Sequence, residues 1–147
     1  MTVAQTFGEY GASLNDGALT DELIHHAKRA VVDWYSALIP GAVQAPATLL
    51  EKALADDLDR GASRLALGRA ATPRTAALIN ATAAHTVEVD DIYREAIYHP
   101  GAPTIAAAHA QACAARANGI EFLKAVIAGY EISTRIGAAM GRVHYKY

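Results

Sequence analysis

The feature that most constrains the fold of this chain is a series of alanine-rich segments with helical periodicity, each flanked by residues that start or end helices. Alanine is the commonest residue; it has the highest helix propensity and lets neighbouring helices approach closely. The segment 21–39 shows the pattern well, because Thr20 precedes it as an N-cap and its apolar residues recur every three or four positions. Runs of β-branched residues are absent from the sequence. We therefore predict an all-α fold, a multi-helix array that forms a single domain over residues 1–147.

Capping and breaking residues set the expected boundaries of the helices. Thr72-Pro73 is a helix start with proline at the first helical position, and Pro40-Gly41 is a helix end. Asn118-Gly119 is expected to be the C-cap of the helix that Pro103 begins. The segment 63–68 alternates briefly, as an extended connector does. The predicted helices span residues 2–14, 21–39, 47–58, 73–89, 103–118 and 120–140.

Charge and cysteine content argue against several classes of protein. The 147 residues carry a formal net charge of −2 and no block of lysine and arginine, a pattern that does not favour binding to nucleic acid or to an anionic membrane. The one cysteine, Cys113, allows neither an intrachain disulfide nor a cysteine-ligated cluster. The N-terminus lacks a signal-peptide pattern, and no apolar run reaches the ~18–20 residues that span a bilayer. We therefore expect a cytoplasmic protein.

The stretch from Asn80 to Thr104 concentrates the residues that could carry chemistry. His99 is followed by Pro-Gly-Ala-Pro, a rigid turn that fixes where an imidazole points. The helix expected after this turn offers unpaired N–H groups to a substrate carboxylate. A histidine beside such an anion site suits proton transfer next to a carboxylate. The alternative is a loop histidine that only bonds a backbone carbonyl group.

Acidic residues precede this histidine. Asp90 and Asp91 stand at the end of the helix predicted before the loop, where the helix dipole disfavours their charge, and Glu88 follows His85 by three residues. Such surroundings can raise the pKa of a carboxyl group into a range useful for acid–base chemistry. The alternative is that both aspartates are solvated or bonded to Arg94.

A metal site is not expected from the sequence. The segment 85–88 lacks the H-E-x-x-H pattern, and zinc needs several histidines, cysteines or carboxylates at ligand spacing. Asp56, Asp57 and Asp59 form an acidic cluster that we interpret as a solvated edge at the end of the third helix. The sequence also lacks a P-loop, a dinucleotide fingerprint and a nucleophile elbow.

Three motifs follow one another in the second half of the chain. The first is 80–91, with Ala-Ala-His85 and then Glu-Val-Asp-Asp91; the second is His99-Pro-Gly-Ala-Pro-Thr-Ile; the third is Ala128-Gly-Tyr-Glu-Ile-Ser-Thr-Arg-Ile-Gly. Together with Val-Val-Asp-Trp-Tyr in the segment 21–39, they resemble the MmgE/PrpD family over nearly the whole chain, and they match the N-terminal part of its helical domain. The family includes 2-methylcitrate dehydratase, cis-aconitate decarboxylase and iminodisuccinate epimerase, which act on small di- or tricarboxylates.

The resemblance implies a lyase or an epimerase that works without a cofactor. Its chemistry would be removal of a proton α to a carboxylate, followed by dehydration, decarboxylation or reprotonation. His99 matches the family's loop histidine, with one residue inserted before it, and is expected to be the catalytic acid or base. Asp91 is expected to orient His99 or to share its proton.

The family's acidic motif often reads Asp-x-Asp-Asp-Thr, whereas this chain has Glu88-Val-Asp-Asp-Ile92. Both differences suggest a substrate other than that of the decarboxylase. We expect the substrate to be bound by Glu88, Asp90, Arg94 and Lys146. The family's second histidine and its lysine are expected beyond residue 147, so the chain resembles the first part of a longer enzyme.

Two hypotheses for the function follow. The first is an enzyme of this family, whose members have a large helical domain and a smaller lid domain and commonly form homo-oligomers, in particular dimers. The second is a helical fragment without activity of its own, or one half of a split enzyme that needs a partner chain or the missing C-terminal segment.

Overall fold

The computed structural model describes residues 1–15, 17 and 19–143, and its fold is predominantly α-helical, as predicted. Two short strands between the third and fourth helices pair antiparallel. None of the described helices is long and apolar enough to cross a membrane. The helices are α1 (Val3–Ser13), α2 (Asp21–Gly41), α3 (Ala47–Ala53), α4 (Pro73–Thr86), α5 (Gly101–Ala115) and α6 (Gly119–Met140), and the strands are β1 (Leu58–Arg64) and β2 (Ala70–Ala71).

Helices α4 and α5 form the centre of the domain, with α2 packed against α4 and α6 packed against α5. Alanines supply much of the contact surface, which lets the helices approach closely. The largest side chains buried between these helices are Trp34, Leu38, Ile105 and Val126. Each aliphatic side chain of this size stabilises the fold by about 1.5–3 kcal/mol when it is fully buried.

Gly41 marks a very close approach between two helices. A Cβ atom at this position would overlap the backbone carbonyl group of Ala83 and would lie 3.3 Å from the Cβ atom of Thr86. Glycine is therefore required for the end of α2 to lie against the last turn of α4. This packing holds in place the turn of α4 that carries His85.

The predicted helix over residues 47–58 is wrong in its second half. Helix α3 ends at Ala53, a single 3₁₀ turn follows, and β1 begins at Leu58. Asp57 leaves the helix because its carboxylate accepts a hydrogen bond of 2.6 Å from the Thr75 hydroxyl group in the first turn of α4. Asp59, at the fully exposed end of the cluster, pairs with Arg69 across the hairpin, and this hydrogen bond lowers the pKa of its carboxyl group.

Three predicted helix boundaries also need correction: the cap at Asn118, the start of α5 and the end of α4. Asn118 is the N-cap of α6 rather than the C-cap of α5: its side chain accepts hydrogen bonds from the N–H groups of Ile120 and Glu121, and the Glu121 side chain accepts one from the Asn118 N–H. Helix α5 ends instead at Ala115, with Arg116 in the left-handed conformation. It also begins two residues earlier than predicted, at Gly101, and α4 ends three residues earlier, at Thr86.

Two buried polar side chains fasten the strand hairpin to the helices. The Asn80 side chain donates to the Arg64 carbonyl oxygen at 2.9 Å and accepts from the Ala66 N–H at 3.1 Å. The Ser63 hydroxyl group donates to the Ala110 carbonyl oxygen at 2.6 Å. Because buried polar groups are costly when unpaired, these bonds determine where the irregular segment 54–72 lies on α4 and α5.

Candidate functional site

The candidate site lies in the loop that joins α4 to α5, over residues 87–100. The loop reverses direction at Glu88, which has a φ of 49°, and again at Ile97, which has a φ of 47°. Tyr93 and Tyr98, one on each side of the second of these points, form an isolated antiparallel bridge, with N–H to carbonyl distances of 2.7 and 3.3 Å. A β-branched residue at positive φ is strained, so the surrounding contacts must hold this conformation at Ile97, two residues before His99.

Asp91 anchors the loop to both helices that follow it. Its carboxylate accepts a hydrogen bond of 2.9 Å from the Gly101 N–H at the start of α5 and one of 2.8 Å from the Tyr130 hydroxyl group of α6. Burial raises the pKa of Asp91, and these two hydrogen bonds oppose that increase. Burial also raises the pKa of Tyr130, with a further contribution from the Asp91 charge. A Cβ atom on residue 101 would lie 2.7 Å from Asp91 Oδ1, so this arrangement needs Gly101.

The start of α5 is therefore less open to a substrate carboxylate than the sequence suggested. The Gly101 N–H already donates to Asp91, residue 103 is a proline without an N–H, and the Thr104 N–H donates to the Pro100 carbonyl oxygen at 3.2 Å. Within the described part of the chain, this leaves Ala102 as the one residue of the first turn whose N–H has no hydrogen-bond partner for an anion to replace. Asp91 occupies the position in which we expected a substrate group.

Asp90 lies between two imidazole rings. Its side chain is only 1% exposed, and its carboxylate oxygens lie 3.1 and 3.2 Å from the Nδ1 atom of His85. The Nδ1 atom of His99 lies 3.4 Å from Oδ2 of the same carboxylate, at an angle too poor for a hydrogen bond. The centroids of the two rings are 4.6 Å apart. One buried carboxylate therefore faces two histidines from different ends of the loop.

Both histidines open onto one cleft. The side chains of His85 and His99 are 49% and 32% exposed, and they line a cleft of about 650 Å³ together with Glu88. The other walls come from α4, the end of the loop and the start of α5: Pro46, Ala81, Thr82, Thr86, Ile97, Tyr98, Ala102 and Pro103. The cleft is large enough for a small organic acid, and it combines apolar walls with titratable groups.

The structure brings some of the predicted site residues together and separates others. His99 and Glu88 line the cleft, and Asp90 lies behind the two histidines. Asp91 faces Gly101 and Tyr130 instead. Arg94 is exposed and is not among the residues that line the cleft.

Lys146 lies outside the described residues. His85 was not predicted as a site residue, although the sequence contained a signal for it. It ends a helix that stops immediately before an acidic run, so a reversal of the chain at Glu88 brings Asp90 back to its ring.

Comparison with models of known protein families identifies the family of this chain. A family model described as "MmgE/PrpD N-terminal domain" matches residues 5–147. The chain belongs to the MmgE/PrpD family. The match confirms the resemblance that the three motifs indicated, including its position in the N-terminal domain. Searches of curated proteins and of solved structures found no match. In this MmgE/PrpD domain the three motifs meet at Asp91 of the first motif, because Gly101 of the second and Tyr130 of the third both donate to its carboxylate.

Proposed function

We propose that this MmgE/PrpD N-terminal domain belongs to an enzyme that removes a proton α to a carboxylate of a small di- or tricarboxylate. One observation carries the proposal: His99 lies against a buried carboxylate on one side and lines the cleft on the other. A histidine beside a buried carboxylate is a suitable general base, because the negative charge stabilises the imidazolium ion that forms. Family membership supports the same class of reaction and substrate.

The proposed mechanism needs only proton transfer. In the tautomer that carries its proton on Nδ1, which lies 3.4 Å from Oδ2 of Asp90, His99 has its Nε2 lone pair available for the substrate. The C–H bond α to a substrate carboxylate breaks, its proton moves to Nε2, and its electron pair is delocalised into that carboxylate. Asp90, buried where charges interact strongly, stabilises the imidazolium ion. Departure of a β-hydroxyl group as water, with uptake of a proton, then completes a dehydration, and reprotonation on the opposite face completes an epimerisation. In a decarboxylation the carbanion is first reprotonated at a conjugated carbon; a carboxylate then leaves as carbon dioxide, and the electron pair that it leaves behind takes up a second proton. No cofactor is required in any of these reactions.

The other predicted site residues have supporting roles in this proposal. Glu88 lines the cleft and would accept a hydrogen bond from a substrate hydroxyl group. Asp91 would act through the loop, by holding the segment that carries His99 against α5 and α6. Arg94 and Lys146 carry the positive charge that a polycarboxylate needs, and we propose that they bind substrate in the assembled enzyme.

We further propose that the enzyme is cytoplasmic and homo-oligomeric. Support for an interface comes from apolar side chains that are exposed on the second helix and just after it, including Val32, Ile39 and Val43. Single exposed apolar residues are normal, whereas a group of them along one helix is typical of a surface covered in an assembly. The same surface suits a further segment of the protein or a partner chain.

Hydrogen–deuterium exchange tests the proposed reaction without knowledge of the final product. The complete protein encoded by the reading frame is incubated in D₂O with a panel of hydroxy, unsaturated and amino di- and tricarboxylates, and proton NMR follows the signals α to each carboxylate. We expect one class of these acids to lose α-proton signal or to be converted. His99→Gln should slow the loss of α-proton signal by ~10²–10⁴-fold, which is the usual contribution of a general base.

The matched control is His25→Gln, an exposed histidine on α2 that does not line this cleft. This variant should exchange at the wild-type rate. If no acid of the panel exchanges in the complete protein, or if His99→Gln exchanges as fast as His25→Gln, the proposal is wrong. Exchange that requires an added second polypeptide would instead support the split-enzyme hypothesis.

A further inference from the structure

We infer that His85, Asp90 and His99 form a binding site for a divalent transition-metal ion of the zinc type, and that the ion inhibits acid–base chemistry at His99. The three side chains offer donor atoms that all lie within 4.8 Å of one another. The binding part of this inference is independent of the proposed function, whereas the inhibition rests on it.

Two of the three distances between the donor atoms are close to those of a tetrahedral site, and the third, between the two imidazoles, is at most 4.8 Å. Zinc binds imidazole nitrogen and carboxylate oxygen at about 2.0–2.2 Å, so two ligand atoms at corners of a tetrahedron are roughly 3.3–3.6 Å apart. Oδ2 of Asp90 lies 3.1 Å from Nδ1 of His85 and 3.4 Å from Nδ1 of His99. Two of the three edges therefore need adjustments of only a few tenths of an ångström, which rotation of partly exposed rings can supply.

The chemistry of the donors favours zinc-like ions over calcium or magnesium. Two imidazole nitrogens and one carboxylate oxygen are a set that suits zinc, cobalt and nickel, whereas calcium and magnesium prefer oxygen ligands alone. Three protein ligands would leave a fourth position open towards the cleft that His85 and His99 line.

Asp90 and His99 each have an unmet requirement that a cation would satisfy. Among the described residues, the nearly fully buried carboxylate of Asp90 has only the two imidazoles as hydrogen-bonding or ionic partners. The Nδ1 atom of His99 is itself buried and makes no hydrogen bond within the described part of the chain. A buried charge and a buried, unpartnered nitrogen are both costly. A shared metal ion would compensate the first and coordinate the second.

Metal binding and the proposed catalysis exclude each other. The proposed base has its proton on Nδ1 and its lone pair on Nε2, whereas a metal ion on Nδ1 takes the lone pair there. A ring that binds the ion through Nδ1 therefore carries its N–H on Nε2. His99 in this form cannot accept a proton from a substrate, so the bound ion acts as an inhibitor.

Titration with Zn²⁺ and Co²⁺ tests the binding directly on the 147-residue chain. Calorimetry should show one Zn²⁺ bound per chain at the site, and Co²⁺ should give the visible absorption of a four-coordinate complex. His85→Gln and Asp90→Asn should weaken zinc binding by at least the ~10–100-fold that loss of an outer-shell partner alone produces. His25→Gln should bind as the wild type does.

His85 is half exposed, so its variant is expected to fold even if Asp90→Asn does not. Circular dichroism checks whether the two variants, His85→Gln and Asp90→Asn, are folded. The inference is overturned if no stoichiometric binding occurs, or if His85→Gln binds zinc as tightly as wild type and His25→Gln do.

Activity of the complete protein tests the inhibition separately. Zinc at concentrations that fill the site should abolish α-proton exchange, and a chelator should restore it. Binding without any loss of exchange would overturn the inhibitory role alone. Absence of exchange even in metal-free protein would contradict the proposed function and leave the binding result as the test of the site.

Discussion

Replacing Tyr130 by phenylalanine removes a single hydroxyl group that joins α6 to the loop carrying the candidate site. This hydroxyl donates to the Asp91 carboxylate at 2.8 Å, and the other carboxylate oxygen accepts from Gly101. A hydrogen bond to a charged partner contributes about 1.5–3 kcal/mol to stability. For a domain of this size each kcal/mol lowers Tm by roughly 2–4 °C. We therefore expect Tyr130→Phe to lower Tm by about 3–12 °C at neutral pH.

Urea denaturation of a small set of variants isolates the contribution of this bond. Tyr35→Phe is the matched control, because the Tyr35 hydroxyl group makes no hydrogen bond to any described residue and this tyrosine is partly exposed. A double-mutant cycle with Asp91→Asn should give a coupling energy of about 0.5–3 kcal/mol, as expected for residues in direct contact. Either of two results would refute the role of Asp91 as the anchor of the loop. The first is a loss of unfolding free energy in Tyr130→Phe that is no greater than in Tyr35→Phe, and the second is additivity of the Tyr130 and Asp91 changes in the cycle.

Three further predictions concern the scaffold and its pH dependence. Gly41→Ala should destabilise the domain by roughly 3 kcal/mol or more in urea denaturation, because the new methyl group overlaps the Ala83 carbonyl group, whereas Gly8→Ala, with nothing within 4 Å, should be neutral or stabilising. Asn80→Ala should lower the free energy of unfolding by about 1–3 kcal/mol, since it removes the two hydrogen bonds of a buried amide side chain; a loss below 1 kcal/mol would contradict this. Burial lowers the pKa of His109 below 6.5, so as the pH falls below 6.5 the unfolded chain takes up this proton before the folded chain does. Stability should therefore decrease in that range, and His109→Gln should flatten the Tm-versus-pH curve there; an unchanged slope would count against the burial effect.

Local signals in the sequence predicted the long helices well. Thr20 and the Thr72-Pro73 pair start helices as expected, and the predicted helix over 120–140 matches α6 to within one residue. These signals depend on neighbours within one helical turn, so they can be recognised without knowledge of the fold. The family motifs added the assignment, which the match to residues 5–147 confirms.

Contacts between distant residues decide what the sequence did not predict. Helix α3 stops early because Asp57 bonds Thr75, eighteen residues further along the chain. Periodicity within one segment does not contain this contact. The cap at Asn118 is a different case: Glu121, whose side chain bonds the Asn118 N–H, lies only three residues further on, so this local signal for an N-cap was missed.

The sequence also did not predict which side chains contact each other within the candidate site. Asp90 and Asp91 are adjacent and chemically identical, yet one faces His85 and His99 while the other faces Gly101 and Tyr130. The direction of each side chain depends on the reversals of the loop at positive φ, which occur at residues other than glycine and therefore leave little trace in the sequence.

The central claim is that His99, held against Asp90, is the general base of the complete enzyme. The measurement that tests it most directly is the kcat of His99→Gln on the substrate that exchange identifies, with folding verified by Tm and with zinc removed by a chelator. We predict a kcat reduced on the order of 10²–10⁴-fold at an unchanged Tm. A kcat within a factor of a few of the wild-type value would contradict the claim and would make His99 a structural residue of the loop.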